Sequence, residues 1–265
     1  SEGTTAFVGD TIYFKAEQKY VRYVGETLVT NLVLSDTMGS GLTPNKDVKV
    51  FVGDTELAST AYSVVYDGQT FKLTITTASV NGETGETTFN YNDGITFTVT
   101  YSAVLNAGAV IDGDNKNEIT TQYNDNTSFD NNTDSTTVKT FDFLLKKVDG
   151  QNKYLEGAGF KLYDDQTGGN QIVLAKDNTG YYTKADGDTT LEIEVDSADG
   201  VNVRGLKAGT YWLEETTTPD GYNTLVGRQE VKISADGTAA VDVSVTNNEG
   251  TELPSTGGMG TRVDR

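Results

Sequence analysis

Apolar and polar residues alternate with a period of two through most of the chain, the spacing that puts every second side chain on one face of a β-strand. The alternation is cleanest in three rows: Phe141, Phe143 and Leu145; Tyr211 and Leu213; and Val241, Val243 and Val245. Further strand-like runs cover Thr11 to Glu17, Thr27 to Leu34, Val48 to Val52, Phe71 to Thr76, Ile95 to Leu105 and Glu118 to Tyr123. Turn dipeptides such as Asp67-Gly68, Asn81-Gly82 and Asp93-Gly94 separate them. No long apolar stripe repeats at 3.6 residues, so the pattern predicts an all-β protein of two tandem immunoglobulin-like sandwich domains, 1–140 and 141–249. Thr136 to Asp149 is nearly uninterrupted strand pattern, which predicts a short, stiff connection between them. Asn124 to Asp134 reads as a loop, and residues 250–265 as a flexible tail.

Each of the three rows ends on a polar residue in phase with it. Lys147 follows Phe141, Phe143 and Leu145; Glu215 follows Tyr211 and Leu213; Asn247 follows the valines. A charge pointing into an apolar interior is costly unless it is partnered or neutralised. Two outcomes fit this placement: a buried ion pair with a hydrogen-bonded amide, or a reaction among the three. A lysine enclosed by apolar groups has its pKa lowered and can present a free amine. A buried, protonated Glu215 can donate a hydrogen bond to the Asn247 carbonyl and ferry a proton to departing ammonia.

Composition narrows the chemistry. The chain has 265 residues, 35% of them hydrophobic, enough for two domains with real cores. A formal net charge of -19 opposes binding to nucleic acid and to anionic membranes. With no cysteine and no histidine, disulfides, thiolate metal sites and nucleophilic catalysis by either residue are excluded. Asp112-Gly113-Asp114-Asn115 lacks the full spacing of a calcium loop and reads as a polar turn, so neither metal nor cofactor is expected. No run is long and apolar enough for a membrane span, and the abrupt beginning at Ser1-Glu2-Gly3 reads as an excised piece of a longer precursor.

Several motifs in order carry a resemblance. Lys147-Val148-Asp149, the run Leu155 to Tyr163, the stretch Tyr211 to Tyr222 containing Glu215-Thr216, Pro219 and Gly221, and Val245-Thr246-Asn247 together resemble the collagen-adhesin B-type (Cna-B) domain of Gram-positive surface proteins. The resemblance covers residues 141–249. It implies an isopeptide bond between Lys147 and Asn247, formed without any enzyme, with Glu215 as catalytic acid.

In the first half, Val8 to Lys15, Leu34 to Thr43, Thr98 to Asn106 and Asn115-x-Asn117 resemble the penultimate domain of sortase-assembled backbone pilins. This likeness implies a second isopeptide bond, from Lys15 to Asn117, with Asp36 as its acid. Alternation puts Asp36 in phase with Leu32 and Leu34, and Asn117 in phase with Ile119. Lys15 shares a row with Tyr13 and Glu17, whereas Ile12, Phe14 and Ala16 form the more apolar row; its burial therefore requires a bulge or a strand buried on both faces, with Lys19 as the alternative amine.

Leu253-Pro254-Ser255-Thr256-Gly257 matches the Leu-Pro-x-Thr-Gly sorting signal, which implies cleavage by a sortase after Thr256 and transfer of its carbonyl to an amine. Met259 to Arg265 continues into neither an apolar span nor a basic tail and reads as an added ending. Together the resemblances imply a shaft subunit of a covalent pilus on the Gram-positive cell wall, not a turnover enzyme. Its implied partners are sortase, neighbouring subunits and host surface ligands. No Tyr-Pro-Lys acceptor tripeptide occurs, which keeps open an accessory adhesin or wall-anchored stalk.

Overall fold

A computed structural model describes residues 4–126, 132–183, 192–236 and 241–250. The first half comprises β1 (Thr4–Thr5), β2 (Thr11–Lys19), β3 (Tyr23–Val24), β4 (Thr27–Leu28), β5 (Asn31–Met38), β6 (Leu42–Pro44), β7 (Lys49–Val52), β8 (Thr55–Glu56), β9 (Tyr62–Asp67), β10 (Thr70–Thr76), β11 (Ala78–Val80), β12 (Thr87–Phe89), β13 (Thr96–Leu105), β14 (Asn115–Tyr123) and β15 (Asn132–Lys139). A six-stranded sheet ordered β1-β15-β14-β5-β10-β9 faces a five-stranded one built on β2-β13-β7-β8, with β6 also on β13. Between them lies one core, in which Leu32, Leu34, Leu73 and Ile75 meet Val50, Phe97, Val99 and Leu105. Alternation holds along these strands: Phe71, Leu73 and Ile75 point inward on β10 while Thr70, Lys72 and Thr76 point out.

The second half comprises β16 (Phe141–Val148), β17 (Gly159–Tyr163), β18 (Leu174–Asp177), β19 (Gly180–Thr183), β20 (Ile193–Glu194), β21 (Val201–Leu206), β22 (Gly209–Thr217), β23 (Gln229–Ile233) and β24 (Val241–Thr246). Sheet β18-β19-β21-β16-β24 packs on sheet β20-β17-β22-β23 over a separate core that includes Phe143, Leu145, Phe160, Leu213 and Val245. The first and last strands, β16 and β24, lie side by side in parallel, with Lys147 opposite Val245 and Val148 opposite Thr246. That pairing brings the last strand of this half back to its first and sets Lys147 near Asn247.

Two expectations change here. The Thr27 to Leu34 run is split into β4 and β5, because the Asn124 carboxamide takes the Thr30 backbone N–H at 2.7 Å and removes it from the ladder. The polar run from Asn132 onward is strand rather than loop; it gains its hydrogen bonds by pairing with β14, which local composition does not encode.

Strand β15 ends at Lys139 and β16 starts at Phe141, so the halves are joined almost without a break. The Phe7-Val8 segment tightens the joint. Val8 donates its N–H to the Gly205 carbonyl at 2.9 Å, Thr183 Oγ1 donates to the Val8 carbonyl at 2.9 Å, and Arg204 Nη1 donates to the Ala107 carbonyl at 2.7 Å. Phe7 packs edge-on against Tyr211, their ring centres 6.1 Å apart.

Candidate functional site

Lys147 is 1% exposed and is the only buried lysine among the described residues. It continues the inward row of β16, flanked by Leu145 on its own strand and Val245 on the next. Its Nζ donates to the Val148 carbonyl at 3.0 Å, and the Asn247 backbone N–H donates to the same oxygen at 3.2 Å. One carbonyl thus holds the lysine amine beside the asparagine. Burial pulls the Lys147 pKa down, against the opposing attraction of the Glu215 and Asp149 charges.

Glu215 ends the inward row of β22 and is 7% exposed; Asn247, just beyond β24, is 1% exposed. Asn247 Nδ2 donates to Glu215 Oε1 at 2.9 Å and to the Asn223 carbonyl at 2.6 Å. Thr218 Oγ1 and the Leu225 N–H also donate to Oε1, at 3.1 and 3.3 Å. The contact between acid and amide therefore runs opposite to expectation: the amide nitrogen donates, which puts the carboxylate against the atom that would leave as ammonia. The Asn223 to Leu225 segment that closes over the pair follows the Pro219-Asp220-Gly221 turn, where Tyr222 N–H bonds the Pro219 carbonyl at 3.2 Å and Gly221 takes a φ of 82°. These contributors escaped the alternation argument because they are backbone groups of a turn.

In the first half the structure brings together two of the three expected residues. Asp36 (1% exposed) and Asn117 (2% exposed) meet through Tyr101, whose hydroxyl donates to Asp36 Oδ2 at 2.8 Å and accepts from Asn117 Nδ2 at 2.7 Å. Burial pushes the Asp36 carboxyl up to about 6, with the Tyr101 and Asn117 hydrogen bonds opposing it. Lys15 is not there. β2 runs without a bulge, Lys15 lies opposite Thr100, and its amine is exposed and paired with Glu17 at 3.1 Å. Lys19 is exposed as well, and the inward position is Phe14. The second crosslink read from the sequence is corrected accordingly: its acid and amide meet a phenol, not an amine.

Buried polar atoms without a partner are unusual in native folds. Of six such side-chain atoms among the described residues, four fall in these two places: Asp36 Oδ1, Asn117 Oδ1, Glu215 Oε2 and Asn247 Oδ1. Asn115 is different. It clamps the polar turn, exchanging hydrogen bonds with the Val110 backbone at 2.9 and 3.0 Å. The sorting motif, Leu253 to Gly257, lies outside the described residues.

Residues 141–249 match the family model of the SpaA prealbumin-like fold domain, which defines the class of the half that carries the buried lysine. Over the whole chain, the crystal structure of the group B streptococcus pilus 2b backbone protein is 31% identical, with 95% of this chain and 98% of that one covered and a TM-score of 0.74. This chain belongs to the family of Gram-positive pilus backbone proteins. The RrgB pilus backbone of Streptococcus pneumoniae (17% identity, 93% and 94% coverage, TM-score 0.68) and the C-terminal fragment of the major pilin GBS80 of Streptococcus agalactiae (18%, 93% and 96%, 0.68) share the fold. No curated protein sequence matches the chain. No helix among the described residues is long and apolar enough to cross a membrane.

Proposed function

We propose that this pilus backbone protein is a load-bearing shaft subunit whose second domain, 141–249, closes itself with a Lys147–Asn247 isopeptide bond. The Lys147 amine attacks Asn247 Cγ, Glu215 takes the proton from the attacking nitrogen and delivers it to Nδ2, and ammonia leaves. A new C–N bond replaces the old one, and Glu215 ends as it began. One observation carries the reading: the lone buried lysine among the described residues shares the Val148 carbonyl with Asn247, whose amide nitrogen rests on Glu215.

The proposal extends to assembly. A sortase cleaves after Thr256 within residues 250–265 and joins the subunit to an amine on its neighbour, at the surface of a Gram-positive cell. The match to a pilus backbone protein along nearly the full chain supports this, together with the Leu253 to Gly257 motif.

Intact mass tests the chemistry. The wild-type chain is expected to be lighter than its sequence by one ammonia, and Glu215→Ala to regain it. A folded wild-type protein at full sequence mass overturns the proposal.

A further inference from the structure

Strand β9 is the outer strand of its sheet and pairs only with β10 among the described residues. Asp67 and Thr70 face each other across the two-residue Gly68-Gln69 loop, and from there bonded and unbonded pairs alternate along the ladder. Asp67, Val65 and Ser63 therefore direct their backbone groups to β10, while Tyr66, Val64 and Tyr62 turn their N–H and C=O groups to the open side. No loop or turn backbone group bonds these three. Such an edge is a template for a further strand, and folds blunt it with charge, proline, a bulge or short length. The other edges of the sandwich sheets are blunted: β1, β8 and β20 are two residues long, and β2, β18, β23 and β24 carry charged residues. β9 has six residues with no lysine, proline or bulge, and its one charge, Asp67, stands at the end. Val65 is 64% exposed on its outer face.

Charge selects the occupant. Two copies of a chain with a net charge of -19 repel over most of their surface. From Leu57 to Tyr66 there is no charged residue, and the groove beside Tyr62 and Tyr91 is lined without one. An antiparallel pairing of β9 with itself, centred on Val64, sets Tyr62 opposite Tyr66, Val64 opposite Val64 and Ser63 opposite Val65. The open backbone groups then meet in register, aromatic pairs flank an aliphatic one, and the two Asp67 side chains lie at opposite ends. We propose that β9 is the contact by which two copies of this chain associate side by side, through a two-fold pairing that joins their six-stranded sheets into one. Because a two-fold contact closes on itself, it joins copies laterally and adds nothing to the length of a polymer. It needs neither the Lys147–Asn247 bond nor a sortase.

Sedimentation velocity of the full chain across protein and salt concentration tests it. The expected result is a monomer–dimer equilibrium that strengthens with salt, as repulsion between the copies is screened. Val64→Pro is expected to abolish the dimer while the chain stays folded, because proline is tolerated where an edge N–H faces out. In high salt, Ser63→Glu with Val65→Glu opposes like charges in this register and is expected to abolish the dimer too, whereas Ser63→Glu with Val65→Lys opposes unlike ones and retains it. Both positions are exposed, so these two combinations carry the test alone if Val64→Pro does not fold. A wild type that remains monomeric at about 1 mM in high salt overturns the proposal and leaves β9 to a strand from another protein. A dimer that survives the proline or the paired glutamates overturns it as well, as does equal behaviour of the two charge combinations.

Discussion

Asp36 and Glu215 are both carboxylates at inward strand positions, and their neighbours give them different work. Glu215 holds the Asn247 amide nitrogen; Asp36 faces a phenol. Asp36 rises to about 6 in the fold against 3.8 as its ordinary value, so the folded state holds its proton more tightly than the unfolded chain. The stabilising contribution is complete below the unfolded pKa and is lost as pH rises through about 6. The first half should accordingly be about 1 kcal/mol more stable at about pH 5 than at about pH 8 from this group alone. Denaturant unfolding at the two pH values checks it: Asp36→Asn is expected to remove that part of the difference, and an unchanged difference counts against the assignment.

At the scale of elements, the parallel pairing of β16 with β24 decides the site and the Val8 segment decides the joint. Gly205 lies under that segment with a φ of 83°, and a Cβ built there would come within 2.7 Å of Thr183 Oγ1 and 2.8 Å of Val8 Cβ. Strain and close contact therefore act together. Gly205→Ala should cost roughly 1–3 kcal/mol and loosen the joint. A lower melting temperature with faster proteolysis near Val8 is the expected outcome; a variant as stable and protease-resistant as wild type contradicts it.

For the whole molecule, a Lys147–Asn247 bond closes a loop of 247 - 147 = 100 residue steps. By the chain-entropy model used for disulfides, a loop of about 100 residues is worth about 4.7 kcal/mol, comparable with the margin of a small domain. Lys147→Ala should therefore lower the unfolding transition of the second half by an amount of that order while leaving the first half nearly unchanged. Two resolved transitions in calorimetry, with only one moved, would show it. With the proposed linkage at Thr256, tension from a preceding subunit would pass through the proposed bond directly between the first and last strands of the half, so they would not need to peel apart.

The class of the fold was legible in the chain itself because period-two alternation is a local property, and each strand carries it regardless of its neighbours. Lys147, Glu215 and Asn247 were found the same way, as polar residues in phase with apolar rows. Phase also put Lys15 off the apolar row of Ile12, Phe14 and Ala16, and the register of β2 with β13 leaves it on the exposed face, opposite Thr100. Other features have no local signature. The joining of Asp36 to Asn117 by Tyr101, the turn carbonyl of Asn223 on the Asn247 amide, and the grip of Val8 on Gly205 arise between segments 16 to 197 positions apart. A chain specifies which face of a strand is apolar; only packing of the sheets decides which groups from distant strands meet across it.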